Sequence, residues 1–129
     1  MRNRIQRLSK SQYLKGLQCP KALWLYRHRP DLTPPISEQK QWLFDSGHEV
    51  GSLAQDYFKI GQLIDEPYYE IDKAIESTNR SIADGRDVIF EATACSPDGA
   101  FSRIDILQKV NSIGNWDLIE AKQSTDVKD

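Results

Sequence analysis

The sequence predicts an α+β protein, with N-terminal helices followed by a three-stranded antiparallel meander. Three observations carry that reading. Apolar residues recur at helical spacing as far as residue 83. From residue 87 onward β-branched and aromatic residues take over. Two turn sequences, Ser96-Pro-Asp-Gly99 and Asn111-Ser-Ile-Gly-Asn115, divide that last stretch into three short segments.

The helical part, residues 1–85, divides at its own punctuation. Ser9 reads as an N-cap, followed by Tyr13, Leu14 and Leu17 at helical spacing. Pro20 suits the first turn of a second helix carrying Leu23, Trp24 and Tyr26, because its missing N–H is not needed there. Arg29-Pro-Asp-Leu-Thr-Pro-Pro35 is a loop. Ser37 is placed to cap the helix Gln41–Phe58, whose stripe is Trp42, Leu43, Val50, Leu53, Ala54 and Tyr57. Gly47 and Gly51 fall inside it at i, i+4, each costing about 1 kcal/mol against alanine. That pairing predicts a close backbone neighbour or a kink. Leu63 and Ile64 suggest a short extended piece. Ile71–Ala83 is the last helix, with Ala74, Ile75, Thr78 and Ile82 on one side and Gly85 as its left-handed stop.

The strands are expected at Asp87–Cys95, Ala100–Val110 and Trp116–Lys122, a meander over 87–122. A chain of 129 residues predicts one domain, 1–129. No apolar run approaches the roughly 20 residues of a membrane span, and no apolar stretch follows the basic N-terminus as in a secretory signal. Cys19 and Cys95 lie too far apart in sequence for paired metal-ligand spacing, so a cytoplasmic setting and a small buried role for Cys19 are expected. Net charge is −2, but residues 1–30 hold eight basic side chains and no acid. A basic arm with Lys10, Lys15 and Lys21 on an acidic body suits a polyanion near a cation-binding acidic site.

Pleating places residues two apart on one face. Arg103 and Asp105 therefore share a face of the second strand, and Glu120 and Lys122 share a face of the third. Glu91 lies opposite Phe90 and Ala92 on the first. Three carboxylates and a lysine in adjacent strands are the groups that hard divalent ions and phosphate chemistry use. A sheet with one wet face accommodates the same residues as solvated side chains.

Arg103-Ile-Asp105, a turn, then Leu118-Ile-Glu-Ala-Lys122 resembles the D…ExK signature of the PD-(D/E)xK nuclease superfamily. Phe44-Asp-Ser-Gly-His48 resembles the helical histidine region of its RecB-like branch. Leu8-Ser-Lys-Ser…Leu17-Gln-Cys-Pro20…Leu23-Trp24 is similar to the N-terminal segment of RecB-like and CRISPR-associated exonucleases. From Leu8 to Asp129 the chain is similar to the N-terminal half of an uncharacterised bacterial family with a downstream ribonuclease-H-like domain. The resemblance implies a restriction-endonuclease-like core and metal-dependent phosphodiester hydrolysis on DNA. It implies Asp105, Glu120 and His48 as ligands of Mg²⁺ or Mn²⁺, joined by the Ala121 carbonyl, with Lys122 as the catalytic lysine. The arm lysines would face DNA, Arg103 would contact phosphate or pair with an acid, and Glu91, which has no firm counterpart in the family, would stand behind the ligands or simply at the surface. The family's fold continues with a helix and a strand after the lysine, whereas only Gln123–Asp129 remain. A missing C-terminal domain or a homodimer is expected to complete it. The remaining cysteines of the iron–sulfur site in some relatives have no counterpart, so no such cluster is expected. A non-catalytic nucleic-acid-binding or interaction domain with a relict metal site is the other reading.

Overall fold

A computed structural model describes residues 6–123. Arg2 and Arg4 of the basic arm, and the closing Thr125–Asp129 of the family likeness, lie outside them. The protein is mixed α and β. In chain order the elements are β1 (Leu8–Ser9), α1 (Lys10–Gln18), α2 (Pro20–His28), a 3₁₀ turn at Pro30–Leu32, and α3 (Glu38–Phe58). They continue with β2 (Gln62–Leu63), α4 (Ile71–Ala83), β3 (Val88–Cys95), β4 (Ala100–Lys109) and β5 (Trp116–Ile119). The chain divides into two compact units, Met1–Ser37 with Cys95–Ser102, and Glu38–Ala94 with Arg103–Asp129.

Local chemistry sets the first unit. Ser9 and Gln12 form a reciprocal capping box: the Gln12 N–H donates to Ser9 Oγ at 3.2 Å, and the Ser9 N–H donates to Gln12 Oε1 at 3.3 Å. Pro20 stands in the first turn of α2. Arg27 donates to the Arg7 carbonyl at 2.9 Å, and Arg7 reaches the Cys95 sulfur. β1 pairs in parallel with the start of β4, Leu8 beside Ala100 and Ser9 beside Phe101. Cys19 is exposed rather than buried. It closes α1 and opens α2 in an extended conformation, φ −158°, and that junction presents it to solvent.

The second unit holds the main core, Ile64, Ala74, Ile89, Ala92 and Leu107, with Ile104 and Trp116 packed against it. The sheet is mixed, not the purely antiparallel meander expected. β4 and β5 are antiparallel, with Ile106 opposite Ile119 and Lys109 opposite Trp116. β2 instead lies parallel to β3, Gln62 beside Ile89 and Leu63 beside Phe90. A parallel partner needs a long crossover, and α4 supplies it. β5 also ends at Ile119, short of the expected Lys122.

The amphipathic face of α4 buries Ala74, Thr78 and Ser81, while Ile82 stays 38% exposed. Thr78 ties helix to sheet: its hydroxyl donates to the Ala74 carbonyl at 2.8 Å and accepts the Thr93 N–H at 2.9 Å. Thr78→Val keeps the shape and orphans a buried N–H. It is expected to cost about 1–3 kcal/mol, read as a lower urea midpoint at unchanged slope.

α3 buries none of its residues. Trp42 and Leu43 are 61% and 60% exposed. A Cβ at Gly47 or Gly51 would meet nothing within 4 Å, so neither glycine marks a close backbone approach.

Candidate metal and phosphodiester site

The β4–β5 hairpin positions the candidate residues. Ile106 and Ile119 are the last paired residues before β5 ends. Carrying that register one step further sets Asp105 across from Glu120. Beyond the paired residues, the Ala121 N–H donates to the side chain of Asp105, Oδ2, at 2.8 Å, which holds the stretch after β5 beside Asp105. Facing carboxylates on neighbouring strands repel each other, and a bridging cation relieves that repulsion. Lys122 Nζ stands 3.5 Å from Glu120 Oε2, with both side chains mostly exposed, so this ion pair contributes little stability. Ala121 thus meets Asp105 through its N–H; the resemblance implied its carbonyl as a ligand.

Glu91 belongs to the same neighbourhood. It is half-buried on β3. Burial, and then the charge of Asp105, push its carboxyl above the ordinary value, while Arg103 and His48 pull it down. Asp105, Arg103 and His48 therefore each lie within electrostatic reach of Glu91. Arg103 is anchored by donating from Nη2 to the Glu66 carbonyl at 2.9 Å. Nothing in the sequence marked Glu66; a backbone acceptor has no residue-type signature.

The raised Glu91 pKa has a definite consequence for stability. The folded protein holds the Glu91 proton more tightly than the unfolded chain does. Its contribution is therefore lost as pH rises from the ordinary value of 4.5 through the raised folded value. Glu91→Gln is expected to melt above wild type at pH 7 without metal. The gap should close towards pH 4, and melting curves across that range check it.

His48 is exposed on α3. Among the described residues, no three His, Cys, Asp or Glu side chains stand together as a ready metal cage. Asp105 and Glu120 come nearest to such a set, since the Ala121 N–H ties the stretch after β5 to the Asp105 carboxylate. Mg²⁺ typically takes one or two protein carboxylates and keeps its remaining positions for water and phosphate, so the pair fits such an ion. Lys10, Lys15 and Lys21 belong to the first unit, all exposed, and Lys15 lies 5.4 Å from the centre of the Tyr26 ring. A cleft of about 470 Å³ in the second unit, lined by Asp65, Glu66, Ser77, Arg80 and Arg86 among others, includes none of Asp105, Glu120 and Lys122.

Compared with family models, with curated proteins and with solved structures, the chain has no match.

Proposed function

We propose that the second unit carries a divalent-metal-dependent phosphodiesterase site acting on DNA, on a restriction-endonuclease-like core. The observation that supports it most is the Ala121 N–H on the Asp105 carboxylate, just beyond the β4–β5 pairing, which brings the stretch holding Glu120 and Lys122 to Asp105. Asp105 and Glu120 hold Mg²⁺ or Mn²⁺, with His48 as the further ligand. When bound, the ion lowers the pKa of water and offsets charge on a phosphate. Lys122, beside Glu120, orients the attacking water and stabilises the charge that builds on the phosphate oxygens. Arg103 binds a neighbouring phosphate, and Lys10, Lys15 and Lys21 supply the attraction to the backbone that an acidic protein otherwise lacks.

The test is cleavage of linear and circular DNA with Mg²⁺, with Mn²⁺ and with neither. Metal-dependent cleavage that falls at least about 100-fold in Lys122→Ala is the expected result. No cleavage with either ion, or equal cleavage by the variant, contradicts the reading.

A second reading, a non-catalytic interaction domain, is favoured by the apolar face that α3 leaves uncovered. DNA binding without cleavage at any metal concentration would support it.

A further inference from the structure

The cleft of about 470 Å³ lies wholly within the second unit and does not include the Asp105 site. Its volume is that of a small-ligand site, about 300–1,000 Å³. One wall is the end of α4. Ser77, Arg80, Ser81 and, at the cap, Asp84 recur there at three- and four-residue spacing and so share one side of the helix. Arg86 joins them because the helix stops on left-handed Gly85, φ 79°, and the chain turns back: the Arg86 N–H donates to the Ser81 carbonyl at 3.1 Å. The other wall is β2 and the segment after it, as far as Pro67. That wall is held by its neighbours. The Ile64 N–H donates to the Phe90 carbonyl at 3.0 Å, Arg103 donates to the Glu66 carbonyl at 2.9 Å, and the Ser77 hydroxyl donates to the Glu66 carboxylate.

Among the described residues, the guanidinium groups of Arg80 and Arg86 have no hydrogen bond and no ion pair, although Asp65 and Asp84 line the same cleft. Guanidinium groups left free in this way suit a phosphate, whose oxygens match their fork of donors. The two free carboxylates accept from hydroxyl and amino groups. A bare inorganic anion would use the arginines and be repelled by the acids. A nucleotide uses both sets, and Leu63 and Pro67 add apolar surface. Directly after Pro67, Tyr68 and Tyr69 are 79% and 70% exposed and meet edge to face at 5.4 Å between ring centres. Exposed aromatic rings near arginines are surfaces on which bases stack.

We propose that this cleft binds a nucleotide: Arg80 and Arg86 hold the phosphate, Asp65 and Asp84 accept hydrogen bonds from sugar and base, and the Tyr68–Tyr69 pair stacks the base. A free nucleotide and one nucleotide of a single strand share this chemistry. The inference needs no metal and stands independently of the Asp105 site.

The test is calorimetric titration of the full chain in EDTA with adenosine monophosphate, adenosine, inorganic phosphate and a short single-stranded oligonucleotide without terminal phosphates. Adenosine monophosphate is expected to bind at least about tenfold tighter than adenosine or phosphate alone. Arg80→Gln and Arg86→Gln should each weaken it about tenfold, and the Tyr68→Ala, Tyr69→Ala double variant at least about fivefold. All four side chains are exposed, so the variants should melt with wild type. Lys109→Gln makes the same charge change outside the cleft and should leave affinity unchanged. An oligonucleotide bound as tightly as the monophosphate, with the same dependence on the arginines, assigns the site to a strand; binding of the monophosphate alone assigns it to free nucleotide. Inorganic phosphate bound as tightly as the nucleotide, no saturation by about 1 mM nucleotide, or affinity indifferent to Arg80 and Arg86 overturns the site. An equal loss in Lys109→Gln reduces the binding to bulk charge and overturns it as well. Dependence on the arginines without dependence on the tyrosines overturns the stacking.

Discussion

Replacing Asp105 with asparagine is expected to lower Mn²⁺-dependent DNA cleavage by at least about 1,000-fold while leaving the fold intact. The argument is electrostatic. Asparagine keeps the shape of the side chain and one carbonyl oxygen, so the Ala121 N–H still finds an acceptor. What disappears is the negative charge facing Glu120. A single carboxylate on an open surface binds Mg²⁺ or Mn²⁺ weakly, because these ions give up hydration water reluctantly. In the proposed reaction the held ion is what lowers the pKa of water enough for attack at neutral pH. The same substitution should slightly raise the melting temperature without metal, since it removes one of two facing carboxylates. Loss of cleavage with retained or raised stability separates a site residue from a packing residue. Cleavage within about tenfold of wild type would place the chemistry elsewhere.

The largest expected effect on folding comes from Gly61→Ala. A Cβ at Gly61 would run into the edge of the Phe90 ring, well inside van der Waals contact. Phe90 is 5% exposed and meets Phe58 edge-on at 6.5 Å between ring centres. It also accepts the Ile64 N–H on its carbonyl at 3.0 Å and pairs with Leu63, so the ring is not free to swing away with its backbone. Overpacking of this kind costs typically about 1–3 kcal/mol, and a backbone-held ring puts Gly61→Ala at the upper end. Thermal unfolding should shift down by roughly 5–10 °C. Phe90→Leu in the same chain removes the obstructing ring edge and is expected to recover part of the loss. Gly61→Ala as stable as wild type would mean that β2 is not docked on β3 as described.

These two residues also mark how far the sequence was readable. Where structure is set by local chemistry, the residue types announced it. Ser9 caps α1, Pro20 opens α2, Ile71–Ala83 is helical to the residue, and Gly85 is left-handed with φ 79°. Each depends on bonds or sterics within a few residues. Features set by distant partners were not announced. The parallel β2 has only two residues, too few for a periodic pattern, and exists because α4 carries the chain back beside it. Nothing near Gly61 in the sequence singles it out, because its constraint comes from Phe90, 29 positions away.

The candidate site shows the same division. Asp105 and Glu120 were picked out as charged residues in apolar strands, and the bond from the Ala121 N–H to the Asp105 carboxylate now links Asp105 to the neighbour of Glu120. Pleating was expected to align Glu120 with Lys122, yet β5 ends before either residue; their proximity is a direct side-chain contact instead. Glu91 adopts left-handed backbone, φ 56°, and no sequence signal marks a glutamate for that. Gly47 and Gly51 were read as a close backbone contact or a kink, because a glycine pair at i, i+4 often marks one or the other. On α3 nothing of the described protein fills the space beside them.

Mn²⁺ titration of wild type, Asp105→Asn, Glu120→Gln and the double variant tests the central claim most directly. If Asp105 and Glu120 hold one ion together, wild type binds a single Mn²⁺, and each single variant loses at least about tenfold in affinity. The double variant then loses much less than the product of the two single losses, because either change alone already breaks the shared site. Wild type that takes up no Mn²⁺, or two single losses that simply multiply, would contradict a shared site across β4 and β5.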